Sequence, residues 1–518
     1  MRSLTKIWYK YKQIPCKKED CIITNRLFWK ELNSNEKKEE SIYLAINILS
    51  GAIDLFTDSE GREIQEAMIT KSFKKVSDEL FNKLVNRGYI FPSKDIEELV
   101  FDTFIKDYKV RSYENEGVLA AFALDMSCPM KCEYCFEKKL QESGNMFEKS
   151  VMDEETLKKS FELLRLISAL QKRKIYSVAA WGGEPLQSKN YEINKLFIEL
   201  AKQNGYKISY FSNLAFEDER YIELLKENAK HIVYLQTTID DIGEAHNSTR
   251  KIKNAFEKTV NNIDKLLDAN VPVIVRTNIG EHNIDSLPRI AKFYEEKGWF
   301  DYPKFKGFIT HTYDRHHEFT KNFTMPEEEA LSKFLSFKDK YPEVRKIQGN
   351  KFAPAIKNIL EAFKIREITD IRKDNFMIQI KPTISYCYTS SRAEYVFTGK
   401  PDYSIYNCAE CAGLLKFRLG QYYPDFKIDE EKADLWGMEK DSINDIRSID
   451  KLEKCKKCKA STYCGGFCAL EAINTVGTAH DVYCKQADKI IENFLNNESA
   501  RLYKRAKQLM NNSEYITL

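Results

Sequence analysis

From Gly117 to about Thr310 the chain alternates short apolar runs with longer amphipathic ones. Strand-like runs fall at Leu119–Leu124, Ile175–Trp181, Lys207–Phe211, Ile232–Thr237, Pro272–Asn278 and Lys304–Thr310. Between them lie helical patterns, for example Ile252, Ala255, Phe256, Val260, Ile263 and Leu267 along one face. Six β/α units in succession predict a parallel sheet with right-handed crossovers. Six strands are too few to close an eight-stranded barrel, so residues 116–318 are expected to form a partial (β/α)6, TIM-like barrel of the α/β class. Its open side would admit a large substrate.

The flanks read differently. In residues 1–115, Ile42 to Ile48 and Ala52 to Phe56 predict a hairpin turning at Ser50-Gly51. Ser77 can cap a helix whose apolar face is Leu80, Phe81 and Leu84, ended by Gly88, and Tyr89 to Phe91 returns as a short strand. This stretch is either a small domain or a cap on the barrel. Residues 319–385 are helical and charged, a bridge without evident chemistry. Residues 491–518 belong to a C-terminal helix: Gln486 to Asn511 is amphipathic, with Ile490, Ile491, Phe494 and Leu495 on its apolar side.

Composition narrows the classes. A chain of 518 residues is long enough for two to four domains with sizeable cores. Lys and Arg number 81 against 78 Asp and Glu, so the net charge of +3 gives no electrostatic case for a nucleic-acid partner. No apolar run reaches the ~18 residues of a membrane span, and the start lacks a signal-peptide core. A cytoplasmic location is therefore expected. Thirteen cysteines in a reducing compartment point to metal rather than disulfides. They are clustered: three near residue 130, eight from Cys387 to Cys484, and Cys16 with Cys21 in the run CKKEDC, which is expected to be a solvated segment. His311, His316 and His317 also cluster, and are expected at the surface rather than as ligands.

The stretch Asp125 to Lys138, DMSCPMKCEYCFEK, holds Cys128, Cys132 and Cys135 at C-x3-C-x2-C spacing. Three thiolates on so short a loop can hold three irons of a [4Fe-4S] cluster but not the fourth, which remains an open Lewis acid. The loop follows a predicted strand, at the end where β/α barrels carry their chemistry. Zinc fits less well, because its sites favour paired C-x2-C knuckles. Here the sequence resembles the radical S-adenosylmethionine (radical SAM) enzymes, whose signature is this triplet after the first barrel strand. The resemblance places Tyr134, just before the third cysteine, in the cofactor site. It makes Gly182-Gly183-Glu184-Pro185 the motif that meets the methionyl amine of SAM, with N–H and C=O groups left free by the two glycines. Ser212-Asn213 stands where the family often has Thr-Asn at the ribose. Thr238-Ile239-Asp240-Asp241, running on to His246 and Arg250, resembles a family segment whose arginine suits the methionyl carboxylate. Asp241 and Asn247 depart from that segment, which has Gly and Asp there. Arg276 and Asn278 end the fifth strand in a similar polar pattern. Singly, each of these is an ordinary surface or capping residue; their recurrence at successive strand ends sets them apart.

The C-terminal cysteines carry the second resemblance. Cys455-x2-Cys458-x5-Cys464-x3-Cys468, then Cys484, is similar to the SPASM domain that follows the barrel in many peptide-modifying radical SAM enzymes, placed here at residues 386–490. It implies two auxiliary [4Fe-4S] clusters, hence three in all. Cys455, Cys458, Cys464 and Cys484 would hold one; Cys468 would join Cys408 and Cys411 at the other. Where the family pattern has a cysteine after Gly420, this chain has Asp425, so the fourth position falls to Asp425, to Cys387, or to no residue. A zinc ribbon of Cys408, Cys411, Cys455 and Cys458 would leave Cys464, Cys468 and Cys484 without purpose.

The N-terminal pattern resembles the winged-helix-like recognition element that binds leader peptides by strand addition ahead of many such maturases. Together these resemblances imply a radical SAM peptide maturase that uses SAM and a reductant such as flavodoxin or ferredoxin. Its substrate would be a ribosomally made precursor peptide with a leader, and its product a thioether crosslink from cysteine. The alternatives are formylglycine formation, as in anaerobic sulfatase maturases, and a zinc-stabilised binding module without turnover.

Overall fold

The computed structural model describes residues 17–33, 40–115, 118–137, 150–315, 323–350, 356, 359–360, 363, 384–386, 394–428 and 447–511. Cys16, Cys387, His316 and His317 lie outside them. Five strands are N-terminal: β1 (Ile22–Ile23), β2 (Leu27–Leu32), β3 (Ile42–Asn47), β4 (Ala52–Phe56) and β5 (Ile90–Phe91). The expected hairpin is β3–β4, and β2 adds to it as a third strand, giving the order β2-β3-β4. Helices α1 (Asp58–Thr70), α2 (Asp78–Asn86) and α3 (Lys94–Asn115) follow the hairpin. Ser77 caps α2 by accepting from the Leu80 N–H at 3.3 Å.

Every residue of β3 and β4 is buried because the sheet has two apolar neighbours. Strand side chains alternate between faces. Tyr43, Ala45 and Phe56 therefore meet Ile64 and Leu80 of α1 and α2, while Ile42, Leu44, Ile46, Ile53 and Leu55 join the main core. The N-terminal unit is thus built into the molecule rather than tethered to it. Cys21 corrects one expectation: it is 3 % exposed and disulfide-bonded, not part of a solvated segment.

The six expected strands are β6 (Val118–Asp125), β7 (Ile175–Gly182), β8 (Lys207–Phe211), β9 (Ile232–Thr238), β10 (Val273–Ile279) and β11 (Phe305–His311). They pair in parallel and in sequence order. The helices between them include α4 (Glu154–Gln171), α5 (Tyr191–Gln203), α6 (Arg220–Glu227), α7 (Glu244–Arg250), α8 (Ala255–Asp268) and α9 (Leu287–Glu296). A parallel strand extends each edge. β12 (Gln348–Asn350), inside the stretch read as purely helical, joins β11; α10 (Glu327–Lys340) is the helix that was expected there. On the other side β13 (Glu394–Thr398) lies against β6, with Phe397 stacked on Phe122 at 5.2 Å. β14 (Ser404–Tyr406), β15 (Gly420–Gln421) and β16 (Lys427–Ile428) then continue antiparallel, so one open sheet of eleven strands runs from the barrel into the cysteine-rich segment. This is a partial TIM barrel. Helix α11 (Ala469–Val476) lies within the cysteine-rich segment, and the C-terminal amphipathic run forms α12 (Ala487–Asn497) and α13 (Ser499–Asn511). Among the described residues no helix is long and apolar enough to cross a membrane.

Candidate active site

The cysteine loop leaves β6 at its C-terminal end and is fixed there by the last residue of that strand and by the segment that follows β7. Asp125, fully buried, accepts hydrogen bonds from the Ser127 N–H (2.8 Å), the Ser127 hydroxyl (2.7 Å) and the Asn190 amide (2.9 Å), and pairs with Lys189 at 2.7 Å. Gln187 donates to the Ser127 carbonyl at 2.9 Å. These clamps were not visible in the sequence, where Asp125 is simply the last residue of a strand. Cys128, Cys132 and Cys135 gather in one small cluster with Met130, Ala215, Ile252 and Ala255.

The glycine pair serves this loop first. The Gly183 N–H donates to the Asp125 carbonyl and the Glu184 N–H to the Ser127 carbonyl, each at 3.0 Å. A Cβ on Gly183 would sit 2.3 Å from the Met126 carbonyl oxygen, and one on Gly182 (φ 129°) 2.6 Å from that of Asp125. So the Gly183 N–H is not free, as the sequence suggested, and only carbonyl oxygens can meet an ammonium here. Glu184 turns inward: its carboxylate accepts from the Ser212 hydroxyl (2.7 Å), the Asn213 N–H (2.7 Å) and the Leu186 N–H (2.9 Å). Burial pushes this carboxyl up to about 7 despite those donors. The Ser212 hydroxyl also accepts from the Leu214 N–H, so its donor is spent on Glu184 and it shapes the loop after β8.

Beyond β9 the charges converge on Asp240, which is 1 % exposed. Arg250, from the last turn of α7, pairs with it at 3.0 Å, donates to the Thr238 carbonyl at 3.4 Å and reaches the Cys132 sulfur at 3.5 Å. Tyr134 donates its hydroxyl to the same carboxylate, and Arg250 lies 5.5 Å from its ring. Burial opposes the Arg250 charge, but Asp240, Tyr134 and Cys132 outweigh it and hold the guanidinium firmly protonated. Arg250 therefore joins the thiol loop to β9, and Asp240, read only as part of a motif, is its anchor. The Asp240 N–H donates to His246 Nδ1 at 3.3 Å, and Asp241 holds Arg289 at 2.5 Å. His311 is buried, not on the surface, with Nε2 at the Met325 carbonyl.

The C-terminal thiols form two groups. Cys455, Cys458, Cys464 and Cys484 lie within one another's electrostatic reach, and burial pushes the Cys455 thiol up to about 12. Cys408 hydrogen-bonds Cys411, and Glu410 between them pairs with Arg315. Arg315 also donates to the Tyr386 hydroxyl at 3.3 Å and lies in the field of Cys468, which ties that thiol to the Cys408 group. Asp425 is not brought in: it is exposed on the turn between β15 and β16. Among the described residues no three His, Cys, Asp or Glu side chains converge on a single-ion site. A cubane cluster instead spreads its thiolates over separate irons. The donor chemistry of the triplet fits such a cluster.

Comparison with known proteins fits this geometry. Residues 126–294 match the radical SAM superfamily. That part of the chain is a radical SAM domain, which implies SAM and a [4Fe-4S] cluster. The chain is 26 % identical over 178 residues to the sporulation killing factor maturation protein SkfB of Bacillus subtilis (strain 168). The match spans 34 % of this chain and only 39 % of SkfB. The fold is similar to that of anSMEcpe with bound AdoMet (TM-score 0.53, 19 % identity, covering 76 % of this chain and 96 % of that one). It is also similar to Streptococcus suis SuiB bound to precursor peptide SuiA (TM-score 0.52, 12 % identity, covering 90 % and 99 %).

Proposed function

We propose that this protein is a radical SAM peptide maturase, acting on a ribosomally made precursor peptide and forming a thioether from one of its cysteines. The observation that carries this reading is the gathering of Cys128, Cys132 and Cys135 at the barrel's C-terminal rim, with a second thiol group at Cys408, in a loop of the same sheet, and a third at Cys455 in the helical segment that follows it. A [4Fe-4S] cluster with SAM supplies hydrogen-atom abstraction from an unactivated carbon. The chain's own part is to position and shield. Asp125, Gly182 and Gly183 fix the thiol loop, and Glu184 orders the strand end at Ser212-Asn213. Arg250 and Tyr134 form a preorganised polar wall anchored on Asp240, where the methionyl carboxylate would lie.

The SPASM reading assigns Cys455, Cys458, Cys464 and Cys484 to one auxiliary cluster, and Cys408, Cys411 and Cys468 to another. The fourth position of the latter falls to Asp425, to Cys387 or to no residue, and the exposure of Asp425 on its turn counts against the first of these. The three-stranded sheet β2-β3-β4 with α1 and α2 supports a winged-helix-like element in which a leader adds to the β4 edge. Likeness to the peptide-bound SuiB structure over 90 % of the chain favours this over formylglycine formation, because the anSMEcpe match leaves more of the chain outside it. The electron donor would be a flavodoxin or ferredoxin.

Replacing Cys128, Cys132 and Cys135 together by Ala should abolish 5′-deoxyadenosine formation under anaerobic reduction. The C-terminal irons should stay in place. Deoxyadenosine from that variant would refute the reading. Iron counts on Cys387→Ala and Asp425→Ala identify the fourth ligand.

A further inference from the structure

Three guanidinium groups lie between the first thiol loop and the Cys408 group, and among the described residues two of them are paired with carboxylates. Arg250 pairs with Asp240, and Arg315 with Glu410. Arg276 lies between the two pairs, attracted by Tyr134, Asp240 and Glu410 and repelled by Arg250. Among the described residues it makes no side-chain hydrogen bond or ion pair, and its Nε is buried without a partner.

The strand explains its direction. Thr277 reaches Tyr294 of α9, and Val273, Val275 and Ile279 join the main core, so the odd-numbered residues of β10 face the helices. Arg276 and Asn278 therefore face the barrel interior. Their register partners across the sheet are Phe308 and Thr310. Asn278 Oδ1 and Thr310 Oγ1 are likewise buried and unpartnered. Part of the Arg276 side chain remains accessible. Burial lowers its pKa, whereas Arg250 and Arg315 are raised by their partners. An arginine stays charged even so. A buried charge without a counterion is costly, so the site is short of one anion.

We propose that Arg276 binds a side-chain carboxylate, an Asp or Glu, of the peptide substrate inside the barrel mouth. A planar fork suits bidentate carboxylate recognition better than an ammonium would. The identity of the substrate as a peptide rests on the function proposed above; the carboxylate subsite does not. The cofactor's own carboxylate is the competing source, and the experiment separates the two.

Reconstituted enzyme in the presence of SAM is titrated with acetyl-Gly-Cys-Gly-Asp-Gly-amide and with its Asn counterpart. The Asp peptide should bind about tenfold tighter to the native enzyme, as expected for a charge-assisted bond. Arg276→Gln should erase that difference, and Arg276→Lys should keep part of it. The Kd for SAM should stay within about twofold in both. Equal binding of the two peptides to native enzyme overturns the proposal. So does a loss of SAM affinity in Arg276→Gln with the peptide preference intact, which would assign the guanidinium to the cofactor. Should the Asp preference hold while the reduced enzyme forms no 5′-deoxyadenosine from SAM, the maturase reading falls and the carboxylate subsite stands.

Discussion

Asp240 and its neighbours show how much of a site depends on single side chains. Sequence spacing grouped Cys128, Cys132 and Cys135 because their separations are local and fixed by one loop, whereas Arg250 was singled out only by resemblance to a family segment. It did not show that Tyr134 and Arg250 converge on Asp240, a contact across 106 residues for Tyr134 that only the folded barrel creates. His246 is part of the same arrangement, and burial pushes its imidazole down to about 4. Its Nδ1 must remain unprotonated to accept from the Asp240 N–H. The unfolded chain, with an ordinary histidine near ~6.5, takes up the proton first as the pH falls. Stability from this group is therefore full above pH ~6.5 and is lost on the way to 4. The loss at pH 5 relative to pH 7 is roughly 2 kcal/mol. His246→Asn keeps an acceptor without the titration, so its urea midpoint should fall less between pH 7 and pH 5 than the wild-type midpoint. Glu184 works in the opposite sense, since its raised carboxyl favours folding at low pH, and it is common to both proteins. Equal falls would mean that the imidazole is not held neutral.

At the scale of elements, the six barrel strands were legible and the strands that extend their sheet at either edge were not. Ile175–Gly182 and Val273–Ile279 lie within a residue of the apolar runs that predicted them. β12 to β16 are two to five residues long, too short for periodicity, and the first two are strands only because a distant neighbour pairs with them. The junction of β7 with the cysteine loop is the tightest contact between elements at the site. The Gly183 Cα lies so close to the Met126 carbonyl that any side chain forces the loop away. Gly183→Ala should cost the triplet its iron and reduce 5′-deoxyadenosine formation at least tenfold, leaving the C-terminal clusters. Gly205→Asn, at a left-handed position in open space, should leave the iron content unchanged. A fully loaded Gly183→Ala enzyme would show that close approach there is dispensable.

At the scale of the whole molecule, the N-terminal unit is part of the C-terminal one. Leu49 and Phe91 share a core with Ile449, Leu452, Cys455 and Val482. Arg26 donates to the Lys456 carbonyl at 3.0 Å, and Thr462 to that of Ile48 at 2.8 Å. The sequence suggested a separable domain because its hairpin and capped helix read as self-sufficient; the shared core depends on contacts that no local pattern encodes. A chain beginning at Gly117 should therefore lose leader affinity and also bare the apolar cover of Cys455. Its iron content should fall by roughly four, the complement of one cluster. Full iron content in that chain would make the N-terminal unit an independent module. The closing of the sheet by β13 sets a schedule as well as a shape. Leu119 must wait for Glu394 to be made before its outer edge is paired. At ~5–20 residues per second, a ribosome leaves that apolar edge bare for tens of seconds. During that time the bare edge of β6 is a template for any other nascent strand, so slowing synthesis between Leu119 and Glu394 should raise the aggregated fraction.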